Sequence, residues 1–555
     1  MAPAPDPRRW ITLAIVISSI FIVVLDNSVL NVAIPMILRD FHTTLPTLEW
    51  VVTGYALTFA SLLIIGGRLG DLFGHRRIFI VGAFLFGAGS LMAALSQSVT
   101  VLILGEAIIE GIGASLMMPT TLAILSTTFT GRERATAFAA WGATAGTAAG
   151  FGPVVGGYLT TNFSWRWSFG INVVIAPVAI LGALAFMTRA SAPGRRPKID
   201  LPGAALAAVG MFLLVFGLTE GGTYGWIRPL RSFSIAGQSI WSGTLPLSIT
   251  PAVFVAALAV LTAFYRVERF KEGGGLDPLF EFGQLRHKGF RYGLLTTTIL
   301  ALGQLGLIFA LPIFLQDAKH LSAERNGLWM LPLGLFIILG AQLGGRLTRV
   351  AGVTAVVRLG LCCETIGLVL IGLAIRPTIT FLALLPGFVL FGLGVGFASS
   401  QLTNVVLSDI EPEKSGVASG ANTTVRQLGS GLGAAIIGSI LTAQTVRHAI
   451  GAVAVSPQLA APVRAQAVAQ IRSLGPNYSA PAHLPVADIA VLNRALASAI
   501  THGTRPAIFF AASFVFLGTL VSLLIPPVRP PHDHETRAEA GSIDPSLIPD
   551  HSSSR

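Results

Sequence analysis

The sequence predicts an all-α polytopic membrane protein with fourteen transmembrane helices. Three observations carry that expectation. Of 555 residues, 53% are hydrophobic and only 11% are charged, with a mean hydropathy of +0.73; soluble domains carry about a quarter charged residues. Apolar runs recur along the chain, each long enough to cross roughly 30 Å of hydrocarbon as a helix. Short, basic, glycine-rich links join them, and one link occurs twice. Gly66-Gly67-Arg68-Leu69 aligns with Gly344-Gly345-Arg346-Leu347, and Gly74 with Gly352. Matching links at matching places predict a duplicated bundle.

In chain order the runs fall at about 11–35, 48–66, 78–97, 101–125, 135–159, 168–188, 201–219 and 250–266. They continue at about 290–315, 328–346, 355–375, 378–402, 416–443 and 505–526. The first run continues into further spans without an A-x-A site, so it reads as helix 1 and not as a removed leader. Fourteen spans put both termini on one side of the membrane. Arg and Lys concentrate in alternate links, such as Arg8, Arg9, Arg76, Arg77, Arg132, Arg134, Arg195, Arg196 and Lys198, whereas the opposite links are sparse in them. The termini are therefore expected to be cytoplasmic.

The domain organisation follows. Residues 1–10 form a cytoplasmic N-terminus, 11–188 a first six-helix bundle, and 189–266 a linker with two extra helices. Residues 267–526 form a second six-helix bundle with a long external loop at 447–503, and 527–555 a polar, disordered tail. Within the external loop, RAQAVAQIRSLG and VADIAVLNRALASAI read as short surface helices. In the other long external link, 221–249, Trp226 and Trp241 read as interfacial anchors. The net charge of +11 does not indicate nucleic-acid binding, because the cations are dispersed over alternate links. Cys362 and Cys363 are adjacent in an apolar run and read as packing residues. No GxxxxGK[ST], HExxH or GxSxG string occurs, so ATP-driven transport, membrane hydrolysis and metal chemistry have no support. The chain does not read as an enzyme, and no cofactor or metal is expected.

The link at 66–77 holds Gly67, Leu69, Asp71, Gly74, Arg76 and Arg77, with His75 intervening. It resembles the signature loop between helices 2 and 3 of the major facilitator superfamily. Its glycines allow a tight turn. Asp71 can accept from an arginine or a helix N-terminus, and the arginines are expected at the lipid headgroups. Helix 1 reads Leu25-Asp26-Asn27-Ser28-Val29-Leu30-Asn31-Val32-Ala33-Ile34-Pro35. This is similar to the signature of the fourteen-helix drug:proton antiporter branch, the EmrB/QacA-like group. Asp26 lies about 24 Å into its helix at 1.5 Å per residue. A carboxylate at that depth should face a cavity and serve a proton or a cationic substrate; the alternative is a structural hydrogen bond to a neighbouring helix.

Helix 4 departs from the branch. Where the family has R-x-x-Q-G, this chain has Ala107 and Glu110, with Glu106 four residues before Glu110 on one helix face. The resemblance places Asp26, Glu106 and Glu110 around one space, and all three are candidates for proton coupling. The alternatives are a packing role for Glu110 and a better hydrated, snorkelling position nearer the outer surface for Glu106. Helix 5 carries Gly142, Gly146 and Gly150, then Gly152-Pro153-Val154-Val155-Gly156-Gly157, which is similar to the antiporter motif. Small residues at four-residue spacing allow close helix approach, and Gly156 is expected to pack helix 5 against helix 8 of the family's core. Trp165-Arg166-Trp167, with Phe169 and Asn172, matches the string that opens helix 6 in the branch and reads as an interfacial anchor. In the second half, Arg426 is a buried cation that needs an acidic or carbonyl partner. Asn31, Gln304, Gln401, Asn404 and Gln427 are cavity candidates and equally candidates for interhelical hydrogen bonds.

The resemblance implies a major facilitator fold with two six-helix bundles and two extra central helices. It implies proton-coupled efflux of lipophilic, often cationic compounds across the plasma membrane. A monomer in the lipid bilayer is expected, with protons and small substrates as its partners. Two other readings stay open: a dedicated exporter of an endogenous metabolite or lipid, and a membrane sensor or scaffold that transports nothing.

Overall fold

The computed structural model describes residues 7–43, 45–129, 131–188, 200–235, 238–411, 414–474, 478, 480–481 and 484–527. Side chains inside some of the helices, including those of Asn31 and Pro153, also lie outside the described residues. Residues 528–555 of the expected tail and 189–199 of the expected linker lie outside them too.

The first bundle consists of α1 (Arg9–Phe41), α2 (Leu45–Phe73), α3 (His75–Ala94), α4 (Val99–Thr128), α5 (Gly131–Asn162) and α6 (Arg166–Phe186). Two further helices, α7 (Leu201–Tyr224) and α8 (Ile249–Gly273), precede the second bundle. That bundle is α9 (Lys288–Ala318), α10 (Ala323–Ala351), α11 (Val353–Ala374), α12 (Phe381–Ser408), α13 (Ser415–Ala454) and, after a shorter α14 (Ala461–Leu474), α15 (Val486–Ser522). Among the described residues 13 helices are long and apolar enough to span a membrane. The remaining expected span falls in α5, part of which lies outside the described side chains.

Local chemistry sets the helix ends. Ser98, Asp200, Ser248 and Ser322 precede α4, α7, α8 and α10, and each accepts a hydrogen bond from a first-turn backbone N–H. The two glycines paired in the sequence repeat do the same work in each half. Gly74 joins α2 to α3 at φ 94°, and Gly352 joins α10 to α11 at φ 82°, a region that side chains with a Cβ rarely enter. Each bundle has its own apolar core. Phe79, Phe86 and Phe138 are fully buried in the first, and Phe314, Phe388 and Phe391 in the second. The bundles meet where α5 packs on α10 and α12, and where α2 packs on α13. Helix α7 packs on α8, α2 and α13, so the extra pair covers the second of these seams.

One expectation is corrected. The external loop is much shorter than 447–503: α13 runs on to Ala454 and α15 begins at Val486, so VADIAVLNRALASAI is the start of a spanning helix. Gly503 does not break α15, because its bare backbone packs on α13; an added Cβ would lie 2.4 Å from Thr445 Oγ1. With α14, these extensions enclose a small core of Ala449, Val453, Ile471, Tyr478 and Leu492. In the link at 221–249, Phe233–Ile235 pairs antiparallel with Gln238–Trp241. There Trp226 Nε1 donates to Ser439 Oγ and Trp241 Nε1 to the Leu247 carbonyl.

Candidate functional site

Asp26, Glu106 and Glu110 are brought together, with one oxygen from each within 4.8 Å of the others. All three are buried; Glu110 is 0% exposed and Glu106 1%. Glu106 is therefore not a snorkelling, hydrated residue, because its helix turns it into the bundle. The residues Leu104–Glu110 form a π-helical segment in α4, a widened turn common at functional positions. Gly89 of α3 lets that segment approach closely, since an added Cβ would lie 2.6 Å from Glu110 N. Ala107, at the position of the family's arginine, faces Gly54 of α2; a Cβ there would lie 2.8 Å from Ala107 Cβ. A long side chain at 107 would collide with α2.

Asn172 of α6 is the hub. Its Nδ2 donates to Asp26 Oδ1 at 2.6 Å and lies 3.1 Å from Ser90 Oγ and 3.2 Å from Glu110 Oε1. One amide nitrogen carries two hydrogens, so it cannot satisfy three acceptors at once. With all three acids ionised, Asp26 Oδ2, Glu110 Oε2 and both oxygens of Glu106 are buried without a hydrogen-bond donor; a proton on one carboxyl lets Glu106 bond Asp26 or Glu110. The Tyr55 hydroxyl is buried, likewise unpartnered, and within electrostatic reach of all three acids. Among the described residues no Lys, Arg or His pairs with them. Unpaired buried charge is expensive, so the cluster's charge has to be met by protons or by a cationic guest. An all-oxygen set of this kind also suits a hard metal cation.

The signature loop lies at the face that carries the described ends of the chain. Asp71 accepts from the backbone N–H of Gly416 at 2.8 Å and of Val417 at 2.9 Å, at the N-terminus of α13. A carboxylate at a helix N-terminus is favoured by both the free N–H groups and the helix dipole. Gly67 is the close-approach residue of this latch, for an added Cβ would fall 2.2 Å from Gly416 O. Arg134 of α5 adds a hydrogen bond to Leu407 O of α12 at 3.1 Å. Arg76 is not free at the headgroups; it donates to Ala183 O and Leu184 O at the end of α6. Arg77 is exposed.

Gly156 packs within its own bundle, its Cβ position 3.0 Å from Val29 Cα of α1, and not across the seam to α10. The seam approach of α5 comes instead from Gly142, 3.1 Å from Ser400 Cβ by the same measure. Gly152 is buried in the same helix, and Gly157 has open space beside it. Trp165 and Arg166 both bond Asp40 Oδ2, and Arg166 also bonds Ser96 O, clasping α6 to the ends of α1 and α3. Arg426 stands apart from the three acids. Its Nη2 is 3.5 Å from Thr403 Oγ1, and its guanidinium lies 6.0 Å from the Trp141 ring centre. Gln401 is fully buried, and Asn404 and Gln427 are half-buried. Gln304 donates to Glu364.

Sequence reasoning quoted Asn172 only as part of an anchoring string, and passed over Ser90, Tyr55 and Glu364. Glu364 had a signal, an acid in mid-span of an apolar run. Ser90 and Tyr55 had none, since hydroxyls are common in such runs.

The Major Facilitator Superfamily profile matches residues 16–434. A probable actinorhodin transporter of Streptomyces coelicolor is 33% identical over 445 residues, 79% of this chain and 73% of that one. The puromycin resistance protein pur8 of Streptomyces alboniger is 32% identical over 449 residues, 80% of this chain and 84% of that one. The lincomycin resistance protein of Streptomyces lincolnensis is 32% identical over 442 residues, 79% and 85%. The crystal structure of the human organic anion transporter MFSD10 (TETRAN) superposes with a TM-score of 0.57 over 93% of this chain and 100% of that one, at 14% identity, and so speaks for the fold alone.

Proposed function

The chain belongs to the Major Facilitator Superfamily, and we propose that it is a proton-coupled antiporter that exports small lipophilic, often cationic compounds across the plasma membrane, with both termini in the cytoplasm. The observation that carries this reading is the Asp26–Glu106–Glu110 cluster, three buried acids with four unpartnered oxygens and no basic partner among the described residues. A proton on one carboxyl turns an acceptor into a donor and joins it to a neighbouring oxygen. A cationic substrate can supply the same compensation. Protons and substrate thus compete for one charge, which is the requirement for exchange. Asn172 holds Asp26 and Glu110 in place from α6, and Tyr55 and Ser90 offer hydroxyls along which a proton can pass.

Alternating access supplies the rest. The latch of Asp71 on the α13 N-terminus, with the Gly67–Gly416 contact, holds the bundles together at the face of the termini. Protons from the opposite, external side reach the acids and release substrate; when the latch opens, protons leave to the cytoplasm and substrate rebinds. The names of the relatives, resistance proteins and a probable actinorhodin transporter, also favour a second reading: dedicated export of a single self-made compound by the same machinery.

The test is movement of ethidium and of puromycin in liposomes holding the full-length protein under an imposed pH gradient. The reading expects movement that follows the gradient and stops when it is collapsed. Movement that follows a sodium gradient alone, or none for any compound tried, would sink it. Tags at the N-terminus and after Pro526 are expected to resist impermeant reagents in intact cells, while a tag near Pro481 reacts.

A further inference from the structure

A second fully buried carboxylate sits in mid-span of the other bundle. Both oxygens of Glu364 in α11 face Nε2 of Gln304 in α9, at 3.2 and 3.1 Å, and that nitrogen lies 3.2 Å from Ser399 Oγ in α12. The register that lays Gly66–Leu69 on Gly344–Leu347 also lays Asp26 on Gln304. Glycine packing is repeated as well. It is mirrored, however: an added Cβ on Gly394 of α12 would fall 2.5 Å from Glu364 N of α11, whereas one on Gly89 of α3 would fall 2.6 Å from Glu110 N of α4. The second bundle thus has a polar node of its own, with an amide where α1 has its acid and its carboxylate on α11 in place of α4.

What differs is the counter-charge. Arg426 of α13 acts electrostatically on Glu364, yet the two make no ion pair within 4 Å among the described contacts. The guanidinium instead reaches Thr403 and lies over Trp141 of α5, which belongs to the opposite bundle. Movement of one bundle against the other changes what holds Arg426, and with it the distance from the cation to Glu364. An acid whose counter-charge moves with the conformational cycle exchanges its proton with that cycle. From α9 Glu364 faces Gln304, from α12 Ser399 and from α13 Arg426; on its own helix its ionisable neighbour is Cys363. No titratable group of α10 or α15 acts on it among the described residues.

We propose that Glu364 is a second proton-exchanging acid of the transport cycle, governed by the position of Arg426. With the guanidinium drawn toward Trp141, the carboxylate takes up one proton and becomes the neutral acid. With the guanidinium drawn back, that proton leaves to water and the carboxylate pairs with the cation. This rests on the antiport reading for its place in the cycle, but not for the proton exchange itself.

The test is a pH titration of the full-length protein in liposomes, following the infrared carbonyl stretch of protonated carboxylic acids, with transport assayed in parallel. Glu364→Gln is expected to remove part of the titrating band, a different part from that lost in Asp26→Asn. It is expected to slow proton-driven ethidium movement by less than about a hundredfold, the low end for losing a proton-transfer group, while ethidium exchange at equal pH is retained. Gln304→Leu and Arg426→Gln keep the acid and are expected to move the midpoint of its band. A Glu364→Gln spectrum identical to the parent's overturns the proposal. Should that variant fail to insert, an unmoved midpoint in both of the others overturns it instead. If the parent shows no proton-driven transport but its band still titrates and is lost in Glu364→Gln, the antiport reading falls and the proton-exchanging acid stands.

Discussion

The two bundles share a backbone plan but distribute charge differently. In the first, three acids crowd around one amide, and four carboxylate oxygens are left without partners. In the second, one acid has both oxygens facing an amide, a hydroxyl beside that amide, and a guanidinium at longer range. The first node is short of positive charge and hydrogen, so it must draw a guest. The second is close to satisfied and responds instead to where its cation stands. The two halves thus keep one backbone plan, while different polar residues make one the proposed exchange centre and the other the proposed sensor of the bundle arrangement.

The largest effect should come from Asp26→Asn, which keeps shape and the contact with Asn172 but removes a titratable group. Proton-driven efflux should fall by about a hundredfold or more, the scale of losing a proton-transfer group, while Gln304→Leu at the matching position costs far less. Equal losses in the two variants, measured as initial rates in vesicles, would erase the contrast between the bundles.

Glu110→Gln and Glu106→Gln come next. Each should flatten the dependence of efflux on external pH and, because two acids of the cluster remain, lower the rate by less than about a hundredfold, with cationic ethidium affected more than a neutral compound. Because Glu106 is as buried as Glu110, the two variants should behave alike. A Glu106→Gln profile matching the parent's would show that the cluster works with two acids.

Asp71→Asn tests the latch that joins the bundles. It removes a charge from the α13 N-terminus, an interaction of about 1 kcal/mol. The termini face should open more often, by about fivefold, as read by thiol labelling of Ser415→Cys, a nearly isosteric change at a buried position beside the latch. Unchanged labelling would mean that backbone packing at Gly67 holds the seam without the charge. The smallest effect belongs to the part-exposed Arg9–Glu133 pair, 2.7 Å apart. Glu133→Gln should shift thermal stability by less than about 1 kcal/mol and leave transport unaltered; a larger change would show that this link between α1 and α5 takes part in the motion.

The sequence by itself determined the membrane class, the places of nearly all the spans, the duplicated link and the family. These depend on hydropathy over some twenty residues and on glycines at fixed spacing, and no tertiary neighbour can override either. It also proposed that Asp26, Glu106 and Glu110 share a space, although that came through resemblance and not from spacing alone. Only the tertiary structure decided which partners those acids have. Asn172, Ser90 and Tyr55 are ordinary polar residues in apolar runs until α3, α6 and α2 bring them to one point. It decided as well that Gly156 packs on α1 while Gly142 meets α12, because both glycines look the same along the chain and differ only in which way the helix turns them. The extensions of α13 and α15 were illegible for a related reason. Their polar outer turns resemble a loop in composition, and become helix because they pack on each other and on α14 beyond the apolar span.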